Sequence, residues 1–495
     1  MRLNFSADIA HIINLIQAEL SPDQAVYVVG GALRDVLLGR DLNDLDFALP
    51  VDPTHLAKRL AKKLQVGFFV LDDARHTARV VYTRNGNETF PLDFVQFTGD
   101  SLLADLKHRD FTINALAVSI KDLETIIDPL GGISDLADGL LRTCSEDSLL
   151  DDPVRVLRGI RLAMQFDLSY APGVATLMKK ASPNLPSTSY ERQRDEFIKI
   201  LAGPDPANGM YHCRQFGIFE TLIPPLATQV EVPACPPHTL PLFEHTLAAI
   251  DYLNRLFSGL DANGDVGDEA NWWIPYFLSD FEQFSEQISA YLVEEITPGR
   301  SKKGLIMLGA LLHDIGKPST MTYGEDGCLH FYNHAKVGGE MAWQTAKRLT
   351  LSNTESTWIT TLVCHHMDLL PLINAGREPT RLEVYRFFKQ VGGVGVAIAL
   401  LSLADTLGTY NEALSREKWE NALQVSKVML SSWWNHHDSV INPTLFLDGN
   451  DLQSRFDLKP GKKIGDLLEA LKQAQAVGDV KNKADAEAFI SDQIN

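Results

Sequence analysis

The chain has 495 residues, 45% of them hydrophobic, 22% charged and 8% aromatic. That composition excludes a disordered chain, a collagen and a coiled coil, and the length allows roughly three domains, each with its own core. The formal charge of −19 sets the protein as a whole against nucleic acid at long range. The charge is uneven: residues 151–220 hold nine basic and eight acidic side chains, so a polyanion contact is expected to centre there. The longest apolar run, Val391–Leu401, is too short for a span of ~20 residues, so no membrane association is expected. No secretory signal is apparent at the start. The five cysteines (144, 213, 235, 328, 364) form no C-x-x-C pair, which fits reduced thiols in a cytoplasmic protein.

In chain order, Val26–Val29 is an apolar run ending in Gly30-Gly31, as in a strand that turns into a helix. Two glycines at such a turn let backbone N–H groups approach a phosphate, and Arg34, one turn into the helix, can clamp the same anion. Asp44–Leu49 alternates with period two and predicts a strand. Asp44 and Asp46 then share one face about 7 Å apart, a spacing suited to hard divalent cations. Further strands are expected at Phe68–Leu71, Arg79–Thr83 and Thr89–Phe97, with Arg84–Asn87 as the hairpin turn between the last two. Asp93, on the last strand, is a candidate third carboxylate. Together these parts point to metal-assisted phosphoryl or nucleotidyl transfer. Beyond residue 145 the pattern turns helical, broken by proline-rich stretches. Residues 259–270 read as an acidic loop within an insertion at about 258–300, and a polar tail follows Pro460.

Residues 26–49 resemble the signature of the class II tRNA nucleotidyltransferase/poly(A) polymerase family, and four later blocks match the family in order. His108–Leu116 (HRDFTINAL) is similar to its R-R-D-F-T-I-N-A block, with His108 for the first arginine. Asp128–Leu136 is similar to its D-P-x-G-G-x-x-D-L block. Asp151–Arg161 is similar to its E-D-P-x-R-x-L-R-x-x-R helix, with Asp151 for glutamate. Glu191–Glu196 is similar to its E-R-x-x-x-E block. The resemblance covers residues 24 to about 225. It implies that Asp44 and Asp46 hold two Mg²⁺ ions, with Asp93 as a further catalytic carboxylate. It implies phosphate contacts for Gly30, Gly31 and Arg34, the triphosphate for Arg109 and the ribose for Asp110. Asp152 and Arg155 would read the Watson–Crick edge of an incoming C or A without a nucleic-acid template. Arg158 and Arg161 recur every three residues after Arg155, so the three arginines share one arc of a helix.

A second constellation lies downstream: His245, then His313-Asp314 at the end of an apolar helix, His334, His365-His366 and Asp405. Imidazoles with aspartates make a mixed N/O site for a transition metal such as Mn²⁺, Ni²⁺ or Fe²⁺, and an adjacent His-Asp can bind one ion or bridge two. The ordered set resembles the HD metal-dependent phosphohydrolase superfamily, which implies hydrolysis of phosphoesters, plausibly cyclic or terminal phosphates on RNA ends.

The resemblances imply an α+β, polymerase-β-like nucleotidyltransferase head over residues 1–145, a mixed sheet with helices. An all-α neck and body with the base-reading helix and RNA contacts would span 146–232, an all-α HD domain 233–425 and a helical tail 426–495. The implied activity is addition of C and A to the 3′ acceptor end of tRNA from CTP and ATP, with no DNA partner. Two alternatives stand beside it. One is A-only or poly(A) addition by the same motifs, with Leu71–Arg79 as the loop that would help switch from C to A. The other is an HD phosphohydrolase whose N-terminal part senses a nucleotide.

Overall fold

The computed structural model describes residues 3, 5–21, 23–73, 76–84, 88–260, 271–325 and 328–494. The chain divides into two compact units, Met1–Ser189 with Gln215–Gly217, and Tyr190–Arg214 with Ile218–Asn495.

The first unit is built on a seven-stranded sheet. Its strands are β1 (Tyr27–Val29), β2 (Leu45–Leu49), β3 (Gly67–Asp72), β4 (Thr77–Arg84), β5 (Glu88–Gln96), β6 (Ala117–Ser119) and β7 (Asp122–Ile127). The spatial order is β3-β4-β5-β2-β1-β6-β7, with β2 and β5 parallel and the other neighbours antiparallel. The expected strands form, and β6 and β7 extend the sheet beyond them. Alternation in β2 and β5 sends Leu45, Phe47, Leu92 and Phe94 into the core, where Phe47 and Phe94 stack with centroids 4.8 Å apart. The helix Ala7–Ala18 adds Ile9, Ile12, Ile13 and Ile16, at helical spacing on one face, to the same core. Most of the segment 71–79 lies in β3 and β4, so the expected switch loop is largely strand; Ala74 and Arg75 lie outside the described residues. Residues 85–87 of the expected hairpin turn also lie outside them.

The D-P-x-G-G block packs against the segment that follows Asp110. Asp128 accepts the backbone N–H groups of Gly132 (2.8 Å) and Ile133 (2.9 Å). A Cβ on Gly132 would meet the Thr112 carbonyl at 2.1 Å, so only glycine lets this helix start pack on the segment after Asp110. Asp135 then accepts the Thr112 hydroxyl at 2.6 Å.

Among its described residues the second unit is helical apart from two small hairpins. Its core helices are Leu242–Leu260, Lys302–Leu312, His334–Arg348, Asn353–His365 and Val394–Tyr410. Of the expected acidic loop, 261–270 lies outside the described residues. The rest of the supposed insertion contains the helices Ile274–Phe281 and Ser285–Val293 and the hairpin Glu295–Thr297/Arg300–Ser301. Among the described residues, one segment, Val394–Ala413, is long and apolar enough to cross a membrane, and 83% of its most apolar window is buried within the protein. The tail is ordered: Leu447, Leu452, Leu471, Ala486 and Ile490 form a separate small core.

Candidate nucleotidyltransferase and HD metal sites

In the first unit the register sets the carboxylates. Asp46 on β2 pairs with Val29 of β1 on one side and with Asp93 of β5 on the other. Asp44 stands just before β2. Gly30, at φ +82°, turns the chain out of β1 beside them. A Cβ there would lie 3.3 Å from an Asp46 carboxylate oxygen and 3.1 Å from the Arg109 guanidinium, so the missing side chain is what opens the floor of the site. Burial, and after it the Asp44 charge, raise the Asp46 carboxyl to about 6. Desolvation and the Asp93 charge likewise push Asp44 upward. Burial and neighbouring carboxylates thus disfavour negative charge at Asp44 and Asp46, which is the condition a divalent cation relieves. The donors are all oxygen, which fits Mg²⁺.

The cationic groups around this floor each hold protein partners. Arg79, opposite Asp93 in the β4–β5 register, makes two bonds of 2.7 Å to the Asp93 carboxylate. Arg34 is buried, pairs with Asp35 at 2.9 Å, donates to Asn114 and lies 4.3 Å from the Phe166 ring centre. Arg109 donates to Asp105 at 3.2 Å. Gly31 stands beside Arg34, whose Nη2 would be 3.1 Å from a Cβ there.

The segment expected to read the base forms the helix Arg155–Phe166, with Asp152 ahead of it at φ −145° and ψ 87°. Arg155 lies 3.7 Å from Asp152 and donates to the Ser148 carbonyl at 3.0 Å. Arg158 pairs with Asp110 at 2.8 Å. Asp110 is 6% exposed. Burial works to raise its carboxyl, but Arg158, the Phe111 N–H and Asn114 outweigh it and hold the group low. A Cβ on Gly159 would meet Phe111 at 2.6 Å, so the glycine of the helix allows the close approach that brings Arg158 to Asp110. Arg161 donates to Gln165 at 2.9 Å.

In the second unit, side chains from five helices or their ends converge. His245 Nε2 lies 3.3 Å from His313 Nε2, 3.5 Å from Asp314 and 3.2 Å from Asp405. His334 and His366 bring Nε2 to within 3.4 and 3.6 Å of the other Asp314 oxygen. The Nδ1 atoms of His313, His334 and His366 donate to the carbonyls of Ala310, Phe331 and Val363 at 2.7, 2.8 and 2.8 Å. A carbonyl only accepts, so Nδ1 carries the proton and Nε2 keeps its lone pair aimed at the cluster, as in metal-ligating histidines. The Nε2 atoms of His334 and His366 are buried and without a hydrogen-bond partner. Such orphaned lone pairs in a His/Asp set fit a transition metal. Two overlapping groups, His245/His313/Asp405 and Asp314/His334/His366, have all donor atoms within 4.8 Å of one another. Burial would lower His245, but hydrogen bonds to Asp314 and Asp405 raise it to about 9.

Glycines make the convergence possible here too. A Cβ on Gly316 would sit 2.3 Å from the His334 carbonyl, so the turn after His313-Asp314 can touch the start of the His334 helix. One expected ligand is corrected. His365 is not brought to the cluster; its Nδ1 lies 2.8 Å from Asp368 and its Nε2 3.5 Å from the Gln390 amide. Neighbouring residues at a helix end point about 100° apart, so only one of the pair can face the metal. Two residues of the site were missed. His238, after a Pro-Pro turn, joins His245 and Asp314 in a third group of potential ligands. Lys317 lies 2.6 Å from Asp314 and 3.1 Å from His238. His238 stands in no motif spacing and left no signal. Lys317 follows Asp314 by three residues in a helical turn, so its proximity was readable.

Residues 26–142 match the poly A polymerase head domain, 167–229 the probable RNA and SrmB-binding site of polymerase A, and 284–386 the HD domain. The CC-adding tRNA nucleotidyltransferase of Thermus thermophilus is 30% identical over 472 residues, covering 94% of this chain and 92% of its own. The A-adding tRNA nucleotidyltransferase of Deinococcus radiodurans is 28% identical over 472 residues, 94% of each chain. A solved CCA-adding enzyme with CTP superposes with a TM-score of 0.62 over 99% of this chain and 96% of that one, at 23% identity, a likeness of fold. Near-complete coverage by the Thermus relative, with the head, RNA-binding and HD matches in the same order, means that the chain belongs to the tRNA nucleotidyltransferase/poly(A) polymerase family.

Proposed function

We propose that the protein is a nucleotidyltransferase (EC 2.7.7 type) that adds C and A to the 3′ end of tRNA without a nucleic-acid template. The observation that carries this reading is the set Asp44, Asp46 and Asp93 beside Gly30, with the Asp44 and Asp46 carboxyls raised and oxygen donors alone. Mg²⁺ held by Asp44 and Asp46 would supply activation of the RNA 3′-OH and neutralisation of the triphosphate. The chain's own residues do the rest. Gly30 and Gly31 leave room for phosphate oxygens. Arg109 and Arg34 exchange their bonds to Asp105 and Asp35 for the triphosphate, and Asp110, held anionic by Arg158, accepts from the ribose. Asp152 accepts from the exocyclic amine that C and A share, and Arg155 donates to the ring edge. RNA contacts are expected from the 167–229 segment. The five cysteines are free thiols, which supports a cytoplasmic setting.

A second reading keeps the chemistry and narrows the product, because the Thermus relative bears a CC-adding name and the Deinococcus relative an A-adding one. Transcripts ending before CCA, after C and after CC, supplied separately with CTP and ATP, separate the two. Incorporation of C onto the shortest transcript and of A onto the longest is the expected result. Incorporation of only one nucleotide supports the narrower reading, and none at all overturns both.

The second unit is proposed to hydrolyse phosphoesters at RNA ends. The support is four histidines, His245, His313, His334 and His366, on Asp314 and Asp405. A transition metal held there would supply Lewis-acid activation of the ester and its nucleophile. Opening of 2′,3′-cyclic nucleotides to the 2′- or 3′-monophosphate with Mn²⁺, lost in His313→Ala, tests this reading.

A further inference from the structure

Beside the His/Asp cluster a pocket of about 290 Å³ opens. Its floor is Asp314, Asp405, His334 and Lys317, all members of the cluster or in contact with it. Its walls then change character, with Leu329, Phe331, Tyr332 and Tyr410 among them. The aromatic side is built by a short device. The hairpin Thr322–Tyr323/Leu329–His330 leads into Phe331-Tyr332-Asn333-His334. His330 and Tyr332 stack, with ring centres 5.3 Å apart and planes 18° from parallel. Tyr332 is 70% exposed, so the plate stands at the mouth and not in a core. Asn333 takes a left-handed turn (φ 61°), after which the His334 Nδ1 is fixed on the Phe331 carbonyl and Nε2 faces the cluster. Tyr332 and His334 are two residues apart, so their Cα atoms lie within about 7 Å of each other.

An aromatic plate and a metal-ligating floor in one pocket recognise two different chemical groups. A metal ion held by the floor would take a phosphate, with Lys317, 2.6 Å from Asp314, beside it. The plate takes a flat π-system, and base stacking on an aromatic side chain tolerates any base. Resting on the phosphoester reading of this site, we infer that the pocket is a nucleotide subsite, with the phosphoester on the floor and the nucleobase stacked on the Tyr332–His330 plate. A sugar phosphate meets the floor equally well but leaves the plate unused.

The test is equilibrium binding of 5′-AMP and of ribose 5-phosphate to the full Mn²⁺-loaded chain. The chain carries Asp152→Ala, so that base reading in the first unit does not contribute. AMP is expected to bind about tenfold tighter than ribose 5-phosphate. Tyr332→Ala should abolish that advantage while leaving ribose 5-phosphate unchanged, and Tyr332→Phe should retain it. Equal affinity for the two ligands, or equal weakening of both by Tyr332→Ala, overturns the subsite. Opening of a 2′,3′-cyclic nucleotide by the same protein is followed in parallel. No opening, with the AMP advantage intact, defeats the hydrolytic reading and leaves the nucleotide subsite standing.

Discussion

The two candidate metal sites solve the same electrostatic problem with opposite materials. In the first unit the donors are carboxylates on adjoining strands, and the balancing charges are arginines that already have partners: Arg79 on Asp93, Arg109 on Asp105, Arg34 on Asp35. In the second unit the donors are mostly imidazoles, three of them with tautomers fixed by backbone carbonyls, around the buried Asp314. Oxygen donors and exchangeable partners suit Mg²⁺, which sheds its waters reluctantly and is commonly shared with a substrate's phosphates. Preset nitrogen lone pairs suit an ion that stays. The comparison teaches that one chain can keep two divalent-ion sites chemically separate by donor type alone.

Removing the oxygen floor gives the largest effect. Asp46→Ala should lower nucleotide incorporation on every transcript by about 10³-fold or more, a loss of several kcal/mol of charge stabilisation. Metal content of the purified protein should stay the same. A fall in retained transition metal in that variant would break the separation of the two sites. Conversely, Asp314→Asn should lower the retained metal, measured by mass spectrometry, by at least tenfold and leave incorporation within twofold. Asp152→Asn should relax selection against U and G by roughly 5- to 100-fold, read from misincorporation with single nucleotides, because the carboxylate that accepts the amine is gone.

A stability test sharpens the rigid side of the comparison. The helix Asn353–His365, which delivers His366, is tied down by Glu355, fully buried and 2.6 Å from Arg300. Burial works to raise the Glu355 carboxyl, but Arg300 and Ser352 hold it at about 2 against an ordinary 4.5. A depressed pKa means the folded state binds the proton less readily. The stabilisation is therefore complete above pH 4.5 and lost as the pH falls toward 2. Glu355→Gln should cost about 3 kcal/mol near neutrality and less in acid, measured by denaturant unfolding across that range. The smallest effect separates two neighbours: His366→Ala should lower retained metal, and His365→Ala should not, since its ring is held by Asp368.

Much of the head was legible because local rules and tertiary demands agree there. The period-two run at 44–49, the Gly30-Gly31 turn and, from Arg155 on, the expected Asp151–Arg161 helix each carry their own geometry, and each formed. The long hydrophobic helices of the second unit were equally readable. The partners were not. That Arg79 holds Asp93 depends on the β4–β5 register, and that Gly132 packs on Thr112 depends on a contact between segments twenty residues apart. His365 and His366 are identical by pattern, and only the rotation of one helix against the others divides ligand from bystander.

By itself, the sequence determined the element types and the chemistry available, since strand and helix periodicity and donor chemistry are properties of neighbouring residues. Only the tertiary structure decided which donors meet. His238 reaches Lys317 and Asp314 because separate segments of the chain pack together there, and no spacing along the chain encodes that distance.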